Sequence, residues 1–384
     1  MMLGVLLARA GIDTVVLEKH ADFLRDFRGD TIHPSTLEIM GELGWLDAFL
    51  KLPHQEIRDI GLEIAGRHVP IADFSHLPLR CRFVAMMPQW DFLDFLADRG
   101  SALPAFRLRR RSEAVDVLVD GARVTGVRTQ EPQGIATVHA DLVVAADGRH
   151  SRLRAAAGLA VRDLGAPMDV LWLRLLRHAT DPAAVLGHVA AGHLLVLINR
   201  GDYWQCAFVV PKGGYDAVRD AGLEAFRASL VRTAPLLAGR VDGLDSWDSV
   251  KVLSVAVDRL ESWCRPGLLC IGDAAHAMSP IGGVGINLAI QDAVAAARIL
   301  APALRQGAPV IATLRRVEAR RRWPTQAMQR LQILAQDRVI APILAGAGAG
   351  RLPLPLRLLQ RFPVLRRIPA RLLGMGFRPE HMAG

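Results

Sequence analysis

The sequence has few cysteines and no long apolar run. Its 384 residues include only Cys81, Cys206, Cys264 and Cys270, and none of them forms a C-x-x-C pair. Four cysteines are too few for a disulfide framework or a zinc knuckle in a chain of this length, so we expect a reduced, cytoplasmic protein without a metal site. No apolar stretch approaches the roughly 18 residues that a membrane-spanning helix needs. The composition therefore predicts a soluble globular chain.

Lysine and aromatic residues are also scarce. Only four lysines are present, so arginine carries nearly all of the positive charge behind the formal net charge of +9. Residues 301–384 hold 15 of the arginines against Glu318, Asp337 and Glu380. A basic chain can bind nucleic acid, but aromatics make up only 5% and no zinc-finger or RNA-binding signature is present. We therefore expect no nucleic-acid partner.

The first twenty residues read MMLGVLLARAGIDTVVLEKH. Apolar residues recur at helical spacing up to Ala10, Gly11 stands where a helix would end, and residues 14–17 form a β-branched run. This pattern predicts a helix followed by a strand that ends at Glu18. In dinucleotide-binding folds an acid at this place binds ribose hydroxyls, after a first strand and a G-x-G-x-x-G turn. The alternative for Glu18 is an ordinary solvated acid.

Two further segments place an Asp-Gly or Gly-Asp pair directly after a strand. Residues 141–154 read DLVVAADGRHSRLR, with Asp147 and Gly148 after the strand. Residues 268–292 read LLCIGDAAHAMSPIGGVGINLAIQD, a buried strand, then Gly272-Asp273 and a glycine-rich loop before a long helix. A carboxylate at the carboxyl edge of a sheet lies where α/β proteins bind ligands. For Asp147 the alternative is a helix cap.

Together these segments resemble the FAD-dependent aromatic hydroxylases, the flavin monooxygenases typified by para-hydroxybenzoate hydroxylase. The resemblance covers about residues 1–300. It implies that Asp273, after Gly272, binds the ribityl hydroxyls of FAD and that Pro280 lies near the flavin ring where oxygen reacts. It also implies that glycines and the following helix start let the backbone approach the ring, at Gly282, Gly283, Gly285, Ile286 and Asn287.

The resemblance assigns three more places to the cofactor. Asp147 and Gly148 correspond to a segment near the pyrophosphate that is implicated in NAD(P)H binding. Arg28 corresponds to an arginine that reaches the pyrophosphate, and Gln89 to a glutamine near the ribityl and phosphate groups. The alternatives are a surface arginine and a polar residue at a helix start. His276 follows the ribityl aspartate and is expected to be mainly structural.

On the register of this family the sequence begins one residue after the third glycine of G-x-G-x-x-G. The first strand and the phosphate-binding loop are then missing. A misassigned start codon, a fragment and a real deletion are the three explanations left open. Ser279 and Val284 also depart from the residues that are common in the family.

The expected fold class is α/β (α+β), a Rossmann-like FAD-binding domain in discontinuous segments with an inserted β-sheet domain. We assign residues 1–75, 85–165 and 262–310 to the FAD-binding domain, 168–260 to the substrate domain and 311–384 to a helical C-terminal segment. The last segment alternates arginines with apolar residues. We favour helices packed on the core with solvated arginines, and contact with a membrane surface is the alternative.

The function implied is that of an NAD(P)H-dependent monooxygenase. FAD, reduced by NADH or NADPH, would react with O2 to a flavin C4a-hydroperoxide and hydroxylate an aromatic or polyketide-like small molecule. The alternatives are a flavin reductase or dehydrogenase acting on a lipid-like substrate, and a truncated relic that binds no FAD. We expect a monomer or homodimer. No general base can be named, because His188, His193 and Tyr203 show no distinguishing spacing.

Overall fold

The computed structural model describes residues 1–24, 30–64, 66–182, 186–190, 192–344 and 354–382. In this part of the chain the α-helices, numbered in chain order, are α1 Met2–Arg9, α2 Pro34–Glu42, α3 Leu46–Phe49, α4 Gln89–Ser101, α5 Arg152–Ala156, α6 Tyr215–Asp220, α7 Leu223–Thr233, α8 Gly285–Leu304, α9 Ile311–Ala335, α10 Ala341–Leu344, α11 Leu354–Arg361 and α12 Arg367–Met375. A π-helical turn, Gln336–Ile340, joins α9 to α10.

The strands of the described residues are β1 Thr14–Glu18, β2 Thr31–Ile32, β3 Gln55–Ile57, β4 Asp59–Ile64, β5 Arg67–Asp73, β6 Val84–Met86, β7 Phe106–Arg110, β8 Glu113–Asp120, β9 Arg123–Glu131, β10 Gly134–His139, β11 Val143–Ala145, β12 Val161–Asp163, β13 Met168–Leu176, β14 Leu186–Ala190, β15 His193–Asn199, β16 Tyr203–Pro211, β17 Lys251–Leu253, β18 Asp258–Leu260, β19 Cys264–Arg265 and β20 Leu268–Cys270. Both helices and strands make up a large part of the described residues, which confirms the mixed α/β class.

Two parallel pairs of strands belong to the part that the sequence assigns to dinucleotide binding. Strand β1 pairs in parallel with β7, and β11 pairs in parallel with β20. Among the described residues β1 has no other strand partner, and the two parallel pairs belong to separate sheets. Helix α1 is buried from Met2 to Ala8 and ends before Gly11, whose φ of +78° favours glycine. The predicted helix and strand at this end of the chain are confirmed.

A seven-stranded sheet in the order β17-β13-β16-β15-β14-β4-β5 forms the second large unit. Its face towards α7 packs Leu171, Leu195 and Phe208 against Phe226 and Leu230. The hairpin of β4 and β5 joins this sheet through parallel pairing of β4 with β14. The sequence places residues 59–73 in the FAD-binding domain, whereas their backbone completes the sheet of the proposed substrate domain. Short-range patterns predict the hairpin but not the distant strand with which it pairs.

Residues 34–50 form two helices rather than one. Helix α2 ends at Glu42, and Gly44 has a φ of +76°, which a continuing helix does not allow. Helix α3 then forms a single turn. The break redirects the chain so that Phe49, which is fully buried, packs edge-on against Phe92 and Phe95 of α4.

The expectation that no segment is long and apolar enough to cross a membrane was wrong. Residues 281–304, the turn before α8 and α8 itself, have a mean hydropathy of 1.4 over their most apolar stretch, 72% of which is buried within the protein. This helix packs on α1 and α9. The alanines and isoleucines of α8 face the protein core rather than lipid. Helix α8 is therefore a core helix that resembles a membrane-spanning helix only in its length and composition.

Candidate functional site

The turn after β20 presents Asp273 beside the start of α8. Strand β20 is completely buried, and Gly272 follows with a φ of +58°. A Cβ at Gly272 would lie 3.0 Å from the Cβ of Ala289 in α8, so glycine permits the close packing of turn and helix. The Asp273 carboxylate is 4.0 Å from the position that a Cβ on Gly285 would occupy. The acid therefore lies at the first turn of a 20-residue helix.

The glycine-rich loop is held against protein rather than left open. Gly282 and Gly283 have φ values of +74° and +61°. A Cβ on Gly283 would fall 2.2 Å from the Thr31 hydroxyl, which donates a hydrogen bond to the Gly283 carbonyl at 2.8 Å. A Cβ on Gly282 would fall 2.6 Å from Leu373 of α12. Both glycines are thus held by contacts within the chain, whereas a Cβ on Gly285 would make only ordinary contacts, at 4.0 Å, with Asp273 and Met278.

Asn287 links this loop to the segment before α2. Its side-chain oxygen accepts hydrogen bonds from the His33 amide at 2.9 Å and the Thr36 hydroxyl at 2.8 Å. Its amide nitrogen donates to the carbonyls of Thr31 and Gly283. The side chain is 5% exposed and is fully used by these bonds. Only the backbone of Asn287 therefore remains to contact a cofactor.

A buried ion cluster holds the Gly272 turn from behind. Asp292 of α8 accepts hydrogen bonds from the Gly272 amide at 3.0 Å and from His276 Nε2 at 2.6 Å, and Arg321 Nε donates to its other oxygen at 2.9 Å. Burial alone would raise the pKa of Asp292, but His276 and Arg321 outweigh burial and hold that pKa below its ordinary value. Arg321, which is 1% exposed, also contacts Glu380 near the end of the chain.

Helix α9 and the π-helical turn after it also support the loop through three buried glutamines, Gln329, Gln332 and Gln336, called here the glutamine ladder. Gln329 donates to the carbonyls of Asp258 and Ala277. Gln332 donates to the carbonyls of Ser279 and Ile281 at 2.9 and 2.8 Å and accepts from the Ser279 amide. Gln336 donates to the Ser279 hydroxyl at 2.8 Å. Sequence reasoning missed this ladder, although the 3- and 4-residue spacing places the glutamines on one helical face.

Glu18, Asp147 and Gln89 lie at the other end of the site. Glu18 is the last residue of β1 and accepts a hydrogen bond from the His20 amide. Asp147 accepts one from the Leu153 amide at 3.3 Å, so it contacts the first turn of α5, for which Ser151 is the N-cap. Gln89 is the first residue of α4. Arg28 lies outside the described residues.

A continuous cavity of about 2650 Å³ connects these places. It extends from Glu18 past the Gly272 turn to the face of the seven-stranded sheet opposite α7, and α11 and α12 close it on a further side. It also continues between β1 and β11. The sequence-predicted residues that line it are Glu18, Gln89, Asp147, Gly148, Gly272, Asp273, Pro280, Gly282, Gly283, Gly285 and Ile286. Asn287 does not line it.

The histidines of the sheet do not face this cavity. His188 pairs directly with Leu195, which faces α7, and opposed residues of an antiparallel pair share a face. The ring of His193 lies 4.8 Å from Phe208 on the same α7 side. Burial lowers the pKa of both histidines. Tyr203 stacks with Arg174 and does not line the cavity. None of the three is placed for acid–base chemistry at the site.

Two titratable residues that the sequence did not single out do line the cavity. Asp30 is 6% exposed, pairs with Arg200 and accepts a hydrogen bond from Gln205 Nε2 at 3.2 Å. Burial raises the pKa of Asp30 to about 6, against the opposing effect of Arg200. The Nδ1 atom of His33 is 2.6 Å from the Leu373 carbonyl, and burial lowers the pKa of His33 to about 4. Both residues follow Arg28 in the sequence, and this position is the only feature of the sequence that points to them.

Comparison with known proteins identifies the fold and the family. A family model described as an FAD binding domain matches residues 1–331. The 6-methylpretetramide 4-monooxygenase of Streptomyces rimosus is 32% identical over 372 residues, which cover 96% of this chain and 88% of that protein. The dialkyldecalin synthase of Streptomyces rugosporus is 28% identical over 326 residues, and the match covers 80% of this chain and 64% of that protein.

Solved structures agree with this assignment at the level of the fold. The anhydrotetracycline hydroxylase OxyS from Streptomyces rimosus superimposes with a TM-score of 0.73 at 24% identity, covering 97% of this chain and 73% of that one. The probable FAD-dependent monooxygenase pqsL from Pseudomonas aeruginosa gives a TM-score of 0.74 at 21% identity, with coverage of 90% and 95%. The resemblance noted in the sequence is confirmed, and the chain belongs to the FAD-binding-domain family of flavin-dependent monooxygenases, as an FAD-dependent oxidoreductase.

Proposed function

We propose that this protein hydroxylates a polycyclic, polyketide-like aromatic molecule with FAD, NAD(P)H and O2. The observation that carries the proposal is the cavity, which joins the Asp273 turn and Pro280 directly to an apolar sheet face. Met168, Val170 and Val209 line that face. Walls of this kind suit a flat apolar substrate with few polar groups. The relative that acts on 6-methylpretetramide, by its name, supports the same substrate class.

The residues present fit the ribityl and ring end of FAD. Asp273 would accept hydrogen bonds from ribityl hydroxyls, and Gly285, which lines the cavity beside Asp273, would let the edge of the ring approach the backbone. The N-terminus of α8 places backbone N–H groups and a partial positive charge at that edge. Glu18 would bind ribose, and Asp147 and Gln89 would contact the phosphate region. When bound, FAD supplies the redox chemistry between NAD(P)H, O2 and the substrate.

The chain itself positions the substrate and excludes water. The glutamine ladder holds the Ser279-Pro280-Ile281 segment on the ring side of the cavity through hydrogen bonds to the carbonyls of Ser279 and Ile281. Helices α11 and α12 cover the cavity, and Leu373 contacts the Gly282 loop. Covering the apolar part of the site in this way limits the entry of water, which would otherwise waste the oxidant.

Asp30 is our candidate for the acceptor of a substrate phenol proton. It lies in the cavity between Thr31, which holds the Gly283 loop, and Gln205 of the sheet. A carboxylate with a pKa of about 6 is ionised at neutral pH and is still a better base than an ordinary aspartate. Removing a phenol proton makes the aromatic ring more electron-rich, which favours attack by an electrophilic oxidant.

The test is a screen of anthracene- and tetracene-type polyketides against the FAD-loaded protein. We expect substrate-dependent NAD(P)H oxidation, matching O2 uptake and a product heavier by one oxygen atom. One relative of this chain is a dialkyldecalin synthase. For this reason NAD(P)H oxidation, O2 uptake and product mass are measured together. Substrate conversion without O2 uptake would contradict the proposed hydroxylation while leaving the family assignment intact.

A further inference from the structure

The outer side of α11 and the following turn carries a cluster of exposed apolar residues. Leu354, Leu358, Phe362, Val364 and Ile368 are each between 42% and 64% exposed. They account for five of the fourteen large apolar side chains that are exposed in the described part of the chain, yet they lie within fifteen residues. A concentration of this kind marks a contact surface more often than chance exposure. We call residues 354–368 the apolar–arginine surface.

The charge of this surface has one sign. Residues 354–368 contain Arg357, Arg361, Arg366 and Arg367 and no acid. No ion pair joins Arg357, Arg361 or Arg366 to a carboxylate of the described residues. Arg366 instead donates to the carbonyl of Leu359, and Arg367 contacts His76. The exposed guanidinium groups of Arg357 and Arg361 are therefore available to an anionic partner.

The inner side of the same segment is occupied. Leu356 is buried in the core below the seven-stranded sheet, and Leu359 packs on it. Leu358 and Ile368 are both exposed and part of the cavity lining. The segment is thus anchored on one side while its other side presents apolar residues and arginines at the rim of the cavity.

We propose that the apolar–arginine surface docks on an anionic lipid bilayer. Exposed leucine, phenylalanine and isoleucine side chains beside unpaired arginines are the pattern of helices that lie in the membrane interface. Arginines are attracted to anionic headgroups, while the apolar side chains enter the acyl boundary. Docking places the rim of the cavity at the lipid surface.

The experiment is sedimentation of the 384-residue chain with vesicles of phosphatidylcholine alone or mixed with phosphatidylglycerol. We expect binding to the mixed vesicles only, and weaker binding at high salt because the headgroup attraction is screened. The double variant F362E/V364E, which leaves the cavity lining unchanged, should reduce the partition coefficient about tenfold or more. Arg357→Gln with Arg361→Gln should also weaken binding.

The matched control is V119E/I135E, which places two acids at positions 55% and 59% exposed in the β8–β9–β10 sheet. It should bind vesicles like the unchanged protein, and all variants are checked for an unchanged thermal midpoint. Equal sedimentation of the unchanged protein and F362E/V364E would overturn the proposal, as would no binding to mixed vesicles. A mass measurement that shows a dimer lost in F362E/V364E, without vesicle binding, would assign the surface to a second copy instead.

Discussion

Asp30 and His33 differ in what burial does to them, although they are three residues apart. Asp30 keeps a charged partner, Arg200, and its pKa rises to about 6. His33 has only carbonyl neighbours, and its pKa falls to about 4, so it is neutral at physiological pH. Asp30 can therefore change charge near neutrality, and His33 serves as a fixed link between the loop and α12.

For Asp30→Asn we predict slower hydroxylation with substrate and FAD binding nearly unchanged. Asparagine has a similar shape but accepts no proton, and a positioned base contributes about 10²–10⁴-fold to rate. In the unchanged protein the rate at low substrate should rise through pH 6, and this rise should vanish in the variant. A pH profile that keeps its rise in Asp30→Asn would remove the assignment. Arg200→Gln is measured alongside, because it keeps Asp30 and removes the arginine. Comparing the two variants separates the loss of the base from the effect of burying an unpaired arginine.

For His33 we predict a pH-dependent contribution to folding. Between about pH 6.5 and 4 the unfolded chain binds a proton at this histidine and the folded chain does not, so stability falls as the pH is lowered. The full effect is roughly 3 kcal/mol. His33→Asn keeps a donor for the Leu373 carbonyl and does not titrate. Denaturant unfolding of both proteins at several pH values should show a smaller acid loss in the variant, and parallel curves would contradict the prediction.

Among the secondary-structure elements, α9 belongs to the site because of the glutamine ladder. This helix follows every cofactor motif in the sequence. Its polar residues satisfy the carbonyls of the Ala277–Ile281 segment, which no strand partner covers in the described structure. Buried carbonyls without partners are costly. The position of Pro280 thus depends on a helix that follows α8.

We predict that Gln332→Leu lowers stability by about 1–3 kcal/mol, because two buried carbonyls lose their donor. FAD affinity should fall as well, since the Ser279–Ile281 segment is no longer fixed. Gln326→Leu is the control, being the same change on a half-buried position of the same helix. Flavin fluorescence titration and thermal unfolding measure both effects. Equal behaviour of the two variants would show that the ladder does not position the loop.

The sequence predicts those elements whose patterns lie within one short stretch of the chain. The strand, turn and helix around Asp273 follow from a buried run, a glycine pair and a helix start, and all are adjacent in the chain. The burial of Arg321 was not predictable in this way. Arginines at the end of a basic chain indicate solvated side chains, whereas Arg321 is enclosed because Asp292 and Glu380, from distant segments, meet around it. The pairing of β4 with β14 was not predictable for the same reason, because the two strands come from distant segments of the chain.

In the whole molecule, segments far apart in the chain meet to form the proposed flavin site. The loop after β20, the segment before α2, α9 and α12 all meet at the Gly282–Gly283 turn through specific bonds and contacts. A cofactor bound there should therefore stabilise the molecule as a whole, by an amount set by its affinity.

The most direct measurement is an FAD titration of the purified chain, followed by flavin fluorescence and the visible spectrum, with Asp273→Ala and the exposed Asp248→Ala compared. The account predicts a bound-flavin spectrum and a raised thermal midpoint for the unchanged protein and for Asp248→Ala. For Asp273→Ala it predicts an affinity at least about tenfold weaker, since a charged hydrogen-bond acceptor is lost. Equal FAD binding by all three proteins would contradict the placement of the ribityl chain at Asp273, and a folded, colourless protein that binds no FAD would contradict the cofactor site itself.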